Sequence, residues 1–258
     1  MPYAILNDVQ LHYTLDGEAH LPVLILSNSL GTTLEMWEPQ VARFSGAYRV
    51  LRYDTRGHGN STVTPGQYSI AQLAGDVIAL MDHLKIAQAH FCGLSMGGQT
   101  GMWLGIHHAN RLRKLVLSNT AAYIGPPDNW DARVAAVEKG GIAPLAEAIV
   151  ARWLTPEFAR AQPRTVARLQ AMLSASPPAG YVAGCLAVRD ADLRARVQRI
   201  TVPTLIIAGS GDLATPPDDA HLLRQQIAGA KYVELAAAHL SNQERADEFS
   251  DAVLKFLR

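Results

Sequence analysis

The chain has 258 residues, of which 48% are hydrophobic and 18% are charged, so it can bury a substantial core and lies near the upper end of a single domain. Lysine plus arginine and aspartate plus glutamate number 23 each, which does not favour a polyanion such as nucleic acid as the partner. No stretch approaches the roughly 20 apolar residues of a membrane span, the start lacks a basic leader, and the two cysteines have no disulfide or metal-ligand spacing. We therefore expect a soluble, cytoplasmic protein whose partner is a small molecule, and leave its oligomeric state open.

Short runs of β-forming residues open the chain. Three predicted strands cover residues 9–15, 23–29 and 48–54, and a helical stretch begins after residue 33. The next elements alternate regularly: a helix at 70–84, a strand at 89–93, a helix after residue 95 and a strand at 112–119. This βαβ rhythm predicts a mainly parallel sheet covered by helices on both faces.

The pattern changes after residue 122. Residues 130 to about 199 are predicted to be helical throughout, with proline and glycine between the helices. The alternation then resumes with a strand at 202–210, a helix at 217–228, a strand at 230–235 and a helix at 243–257. We therefore predict an α/β core made of residues 1–122 and 200–258, with residues 123–199 inserted as a helical cap.

One serine lies between glycines where a predicted strand meets a predicted helix. The segment Gly93-Leu94-Ser95-Met96-Gly97 matches G-x-S-x-G, which by itself occurs often by chance. After an apolar strand and before a helix, however, it predicts a nucleophile elbow, in which a strained turn exposes the serine hydroxyl. A glycine-rich turn with an idle serine is the alternative.

A serine hydroxyl is a weak nucleophile at neutral pH and needs a histidine to accept its proton and a carboxylate to orient that histidine. Asp212 follows one late predicted strand and His239 follows the last one, in the chain order expected for an elbow serine. Both are therefore predicted to reach the sheet edge that carries Ser95. Asp54 also ends a predicted strand, but we expect it to stabilise its own loop through Arg56 rather than to act as the catalytic acid.

Acyl transfer also needs donors for the oxyanion of the tetrahedral intermediate. The expected donors are the backbone N–H groups of Met96, next to the serine, and Leu30, in the loop after the second of the early strands. Many enzymes with this elbow carry His-Gly where this chain has Asn28-Ser29, so this chain departs from that pattern in the loop that contains Leu30.

Several segments resemble the 3-oxoadipate enol-lactonases of the α/β-hydrolase superfamily: LSNSLGTTLEMWEPQ, LRYDTRGHGNS, GLSMGGQTGMWLGIHH, YVAGCLAVRDADL and HLSNQERADEFSDAVLKFL. The resemblance covers nearly the whole chain, and its most specific parts are SNSLGTTLEMW and GCLAVRDADL. It implies the α/β-hydrolase fold with a helical cap and assigns the catalytic serine, aspartate and histidine to Ser95, Asp212 and His239. It also implies opening of a small anionic lactone by water in aromatic catabolism, with no cofactor and no metal.

The implied substrate carries a carboxymethyl group, so its pocket needs an apolar wall and a cation. Within the cap, Trp130 and Arg133 are spaced to share one helix face, which makes Arg133 the preferred carboxylate ligand. Trp153 and Arg189 are further candidates. The alternative is that the tryptophans belong to the cap core and the arginines are solvated.

Two other functions stay open. One is a different serine hydrolase of the same fold, such as a general esterase, another lactonase or a cofactor-free perhydrolase, and a preference for simple esters would identify it. The other is a ligand receptor that keeps the fold and the triad but turns over slowly, although the sequence shows no additional segment for a signalling partner.

Overall fold

The strands form one eight-stranded sheet in a computed structural model, which describes residues 2–258. They are β1 (Tyr3–Ile5), β2 (Gln10–Asp16), β3 (Val23–Ser27), β4 (Arg49–Tyr53), β5 (Ala89–Leu94), β6 (Leu112–Ser118), β7 (Thr204–Gly209) and β8 (Lys231–Leu235). Their order is β1-β2-β4-β3-β5-β6-β7-β8. The first two pairings are antiparallel and the other five are parallel, so the predicted, mostly parallel sheet is confirmed.

Helices cover both faces of this sheet. They are α1 (Glu38–Ser45), α2 (Ile70–His83), α3 (Met96–His107), α4 (Pro127–Gly140), α5 (Ala146–Val150), α6 (Pro156–Ala161), α7 (Pro163–Ser174), α8 (Pro178–Arg189), α9 (Pro217–Gln226), α10 (Ser241–Glu244) and α11 (Ala246–Leu257). Helices α4 to α8 all lie between β6 and β7, where the helical insertion is predicted.

Three of the differences from the sequence prediction have a local physical cause. Strand β1 was not predicted, since three residues are too short to show a period of two. Strand β3 ends two residues early because Asn28 leaves the ladder and its side chain bonds to Tyr53, at the end of β4, and to Trp37. The predicted last helix is broken into α10 and α11 at Arg245, whose backbone, at φ −126° and ψ 52°, is not helical.

The alternating side chains of the strands divide the core into two layers. On β3, for example, Leu24 and Leu26 join the layer that also contains the cap, whereas Ile25 joins the layer under α2 and α3. Val137, Leu173 and other cap side chains belong to the same hydrophobic cluster as the first layer. The α/β part of the chain and the cap thus share one hydrophobic cluster. We therefore propose the boundaries at residues 122 and 200 as a division of the chain and not as a division between separately packed domains.

Cap helix α8 touches the core through backbone atoms. A Cβ atom on Gly180 of α8 would lie 2.0 Å from the carbonyl oxygen of Gly57, and one on Gly57 would lie 2.8 Å from Gly180 Cα. Gly57 also has φ +78°, which an L side chain rarely adopts. The loop that contains Gly57 is thus a docking surface for the cap.

This contact gives a stability prediction. We expect Gly180→Ala to lower the free energy of unfolding by about 1–3 kcal/mol, because the new methyl group meets backbone that cannot rotate away. Gly140→Ala is the matched control: it also lies in a cap helix, but its Cβ would meet nothing within 4 Å. Urea unfolding of both variants checks this, and equal midpoints for the two would contradict the contact.

Within residues 2–258, no single helix has the length and apolar character to cross a membrane. One pair, α7 with α8, passes that test only when the two are taken together, and their axes meet at 95°.

Candidate active site

Ser95 occupies a strained turn between β5 and α3. Its backbone has φ 58° and ψ −115°, a positive φ that a residue with a side chain adopts only when its surroundings impose it. The flanking glycines make the turn possible, since a Cβ on Gly93 would lie 2.1 Å from Gly97 O and one on Gly97 would lie 2.3 Å from Ser27 O. This geometry is that of a nucleophile elbow.

His239 and Asp212 form a buried pair in the loops after β8 and β7. The His239 Nδ1–H group donates to Asp212 Oδ2 at 2.9 Å, and the two residues are 2% and 3% exposed. Burial by itself would raise the pKa of the Asp212 carboxyl, but the His239 ring and the hydrogen bonds around the carboxylate outweigh it and lower the pKa to about 2. An ionised Asp212 keeps the proton on Nδ1 and leaves Nε2 free to accept one.

The Asp212 carboxylate is held by four further donors. The backbone N–H groups of Ala214 and Thr215 donate to Oδ1 at 2.8 and 3.0 Å, while the Thr215 hydroxyl and Asn119 Nδ2 donate to Oδ2 at 2.8 and 3.1 Å. Asn119 comes directly after β6 and receives hydrogen bonds itself from Ser118 and Ser241. Sequence reasoning missed Asn119 and Thr215, although a polar residue at the carboxyl end of a strand was a usable signal for the first.

Ser95 and His239 line the same cavity, which has a volume of about 330 Å³. In the described chain no hydrogen bond joins the Ser95 hydroxyl to the imidazole, and catalytic contacts of this kind often tighten only when substrate binds. Leu30 lines the cavity as well. Within residues 2–258 neither Leu30 N–H nor Met96 N–H has a hydrogen-bond acceptor, so both donors are available to an oxyanion.

The cap supplies the remaining wall of this cavity. Three of the predicted substrate-binding residues, Trp130, Arg133 and Trp153, line it, and so do Arg152 and Tyr181, which the sequence analysis did not select. No aspartate or glutamate among the described residues lines the cavity. The charged cap residues in its described wall are therefore two arginines, which favour an anionic ligand.

The two candidate carboxylate ligands have different surroundings. Arg133 Cζ lies 4.9 Å from the centroid of the Trp130 ring, and within residues 2–258 Arg133 makes no salt bridge. Arg189 lies outside the cavity, where its guanidinium pairs with Asp131 at 2.6 Å and Asp190 at 2.7 Å. The structure thus brings Arg133, and not Arg189, to Ser95, because two nearby carboxylates hold the Arg189 side chain at the surface.

Other predicted contacts also differ. Asp54 does not bind Arg56: its Oδ2 atom accepts from His12 Nδ1 at 2.7 Å, and Arg56 pairs with Asp8 and Asp76 at 2.6 Å each. Both carboxylate oxygens of Asp54 also accept from backbone N–H groups, so Asp54 stabilises its own loop without Arg56. No cluster of three or more histidine, cysteine or acidic side chains within residues 2–258 is arranged to hold a metal ion.

Comparison with known proteins agrees with this geometry. The model of the α/β-hydrolase fold family matches residues 22–246, so the chain belongs to that family. It is 46% identical to 3-oxoadipate enol-lactonase 2 of Acinetobacter baylyi, over 96% of this chain and 92% of that protein, and 39% identical to 3-oxoadipate enol-lactonase 1 of the same organism, over 96% and 93%. The crystal structure of the enol-lactonase from Burkholderia xenovorans LB400 superposes with a TM-score of 0.98 at 50% identity, covering 99% of both chains. Within the α/β hydrolases, the chain is a member of the 3-oxoadipate enol-lactonase family.

Proposed function

We propose that this protein hydrolyses 3-oxoadipate enol-lactone to 3-oxoadipate, with Ser95 as the nucleophile. The observation that carries the proposal is the cavity itself, which joins an elbow serine and an Asp212-oriented histidine to two arginines that make no salt bridge within residues 2–258, with no acidic side chain in its described wall. Such a site suits an ester that bears a carboxylate. The relatives named as enol-lactonases support the same substrate.

In the proposed reaction, His239 Nε2 accepts the Ser95 proton while Oγ attacks the lactone carbonyl. The Leu30 and Met96 N–H groups donate to the resulting oxyanion, a contact of the kind that contributes about 3 kcal/mol per donor. Collapse breaks the ring C–O bond and releases an enol oxygen, which takes the proton from His239. Tautomerisation of the enol to the ketone removes the group that could close the ring again.

Deacylation uses the same groups, with water as the nucleophile and Ser95 as the leaving group. His239 takes a proton from water, the hydroxide attacks the Ser95 ester, and the serine leaves with that proton as 3-oxoadipate is released. Every step uses side chains and backbone of this chain, so the proposal includes no cofactor. We also propose a cytoplasmic location, since Cys92 and Cys185 are both free and buried, as is usual for thiols in a reducing compartment.

The substrate assignment is tested by comparing kcat/KM for the enol lactone with that for p-nitrophenyl acetate. We expect the lactone to be preferred by at least about 100-fold, since only it offers a carboxylate to the arginines. A preference for the simple ester would identify a general esterase instead. Inactivity on both, together with tight binding of a small ligand, would favour the receptor.

Arg133 gives a more specific prediction. We expect Arg133→Gln to raise KM for the lactone by about 10-fold to 100-fold with little change in kcat, because a charge-assisted hydrogen bond to the carboxylate is lost in ground and transition states alike. Arg189→Gln is the control, since its cation is bound to Asp131 and Asp190 outside the cavity. Steady-state kinetics of both variants check this, and an equal KM for Arg133→Gln and wild type would exclude the assigned role.

A further inference from the structure

Asn28 begins the loop that contains Leu30, one of the two proposed oxyanion donors. This oxyanion loop, residues 28–33, connects β3 to a short 3-10 turn, Leu34–Trp37. Asn28 is fully buried, with an exposure of 0%, and lies beyond the end of β3. It is therefore part of neither the sheet ladder nor the wall of the active-site cavity.

Hydrogen bonds on three sides hold Asn28 in place. Its backbone carbonyl accepts from Gly97 N–H at 3.0 Å. Its side-chain amide donates from Nδ2 to the carbonyl of Tyr53 at 2.8 Å, and its Oδ1 accepts from the indole Nε1–H of Trp37 at 3.0 Å. Tyr53 and Trp37 are 1% and 0% exposed, so water is poorly placed to replace either partner.

These bonds connect the two oxyanion donors to each other. Met96 comes directly before Gly97, and Leu30 comes two residues after Asn28. The bond from Gly97 N–H to the Asn28 carbonyl therefore fixes the spacing between the two segments that carry the donors. The side-chain bonds to Tyr53 and Trp37 in turn fix the orientation of the Asn28 peptide.

Gly97 allows this contact because it has no side chain. A Cβ atom at position 97 would lie 2.3 Å from Ser27 O and 2.9 Å from Asn28 O, so only glycine lets the helix start approach the loop this closely. The second glycine of the G-x-S-x-G pattern thus serves the oxyanion loop as well as the elbow.

We propose that Asn28 is a positioning residue of the oxyanion hole, which sets the distance between the Leu30 and Met96 N–H groups without touching the substrate. The inference rests on the proposed function for the identity of those donors. It assigns a role to the position where many enzymes with this elbow have histidine: a side chain that both donates and accepts a hydrogen bond inside the core.

Two variants break the same bond from opposite sides. Asn28→Ala removes the amide, and Trp37→Phe removes the indole N–H while keeping an aromatic ring. We expect each to lower kcat by about 10-fold to 100-fold, less than the 10²-fold to 10³-fold loss on deletion of a whole donor, with KM changed less than threefold. The double variant is expected to lose no more than Asn28→Ala alone, since that change already removes the bond from Trp37 together with the bond to Tyr53.

The control separates positioning from stability. Val77→Ala shortens a fully buried side chain of α2 in the other core layer and is expected to lower the melting temperature while leaving kcat unchanged. Phenylboronic acid, which forms a tetrahedral adduct with serine, is the second probe. Its affinity should fall in parallel with kcat in both variants, whereas the affinity of adipate, a ground-state anion, should stay within threefold.

Each outcome decides the proposal. Loss of kcat and of boronate affinity, without loss of adipate affinity, supports it. Unchanged kcat, a rise in KM alone, or equal effects from Val77→Ala would overturn it, and Trp37→Phe carries the test if Asn28→Ala fails to fold. The same variants can be assayed with p-nitrophenyl acetate and the boronate in place of the lactone. If the enol lactone is not the substrate, these two probes still report whether Asn28 positions the oxyanion donors.

Discussion

Replacing Ser95 by alanine is expected to lower kcat for the enol lactone by at least about 10⁴-fold, because no acyl-enzyme can then form. A residual rate above that in buffer is expected, since the oxyanion donors and the binding residues stay in place. The comparison uses the initial rate of lactone consumption by equal concentrations of wild type and variant.

The fold is expected to survive this change. Ser95 has a positive φ that alanine tolerates no better, but the change removes only a hydroxyl group that makes no hydrogen bond in the described chain. The melting temperature should therefore stay within a few degrees of that of wild type. A Ser95→Ala protein that is folded and keeps a tenth or more of the wild-type rate would refute covalent catalysis at this serine.

Asp212→Asn should have the second largest effect, a loss in kcat of about 10⁴-fold. The asparagine amide would present a donor or a neutral oxygen to His239 Nδ1, and the imidazole would then place its proton on Nε2 in many molecules. An Nε2 atom that already carries a proton cannot accept one from Ser95.

A matched variant separates this tautomer effect from loss of the carboxylate's support. Thr215→Val removes one hydroxyl donor to Asp212 Oδ2 but keeps the charge and the bond to His239. We expect it to cost less than about tenfold in kcat, in line with one hydrogen bond among several. If Asp212→Asn costs no more than Thr215→Val in the same assay, Asp212 does not orient the histidine.

The sequence predicted those features of the site that depend on order along the chain. Ser95, Asp212 and His239 each follow a predicted strand, and parallel strands end at one sheet edge, so the strand pattern alone brings their loops together. The mostly parallel sheet follows from the same alternation. These predictions rest on periodicity and chain direction, both of which can be read locally.

Contacts between distant segments could not be predicted in this way. Arg133 and Trp130 were paired correctly because their spacing of three residues is a local property of a helix. Arg189 was misplaced because one of its partners, Asp131, lies 58 residues away in the chain. Arg152 reaches the cavity through a loop and shows no periodic signal in the sequence.

The oxyanion loop shows the same limit. The departure at Asn28-Ser29 was visible in the sequence, but the partners of Asn28 lie 9, 25 and 69 residues away. Only the fold shows that its amide bridges Trp37 and Tyr53 behind the loop.

The central claim is that Ser95 takes the acyl group of the enol lactone. It is tested most directly by mixing the protein with saturating lactone, quenching in acid over a series of millisecond times, and measuring the mass of the peptide that contains Ser95. The account predicts a transient adduct with the mass of one intact lactone in wild type and none in Ser95→Ala. Lactone consumption with Ser95 unmodified at every time, or an adduct on another residue, would contradict it.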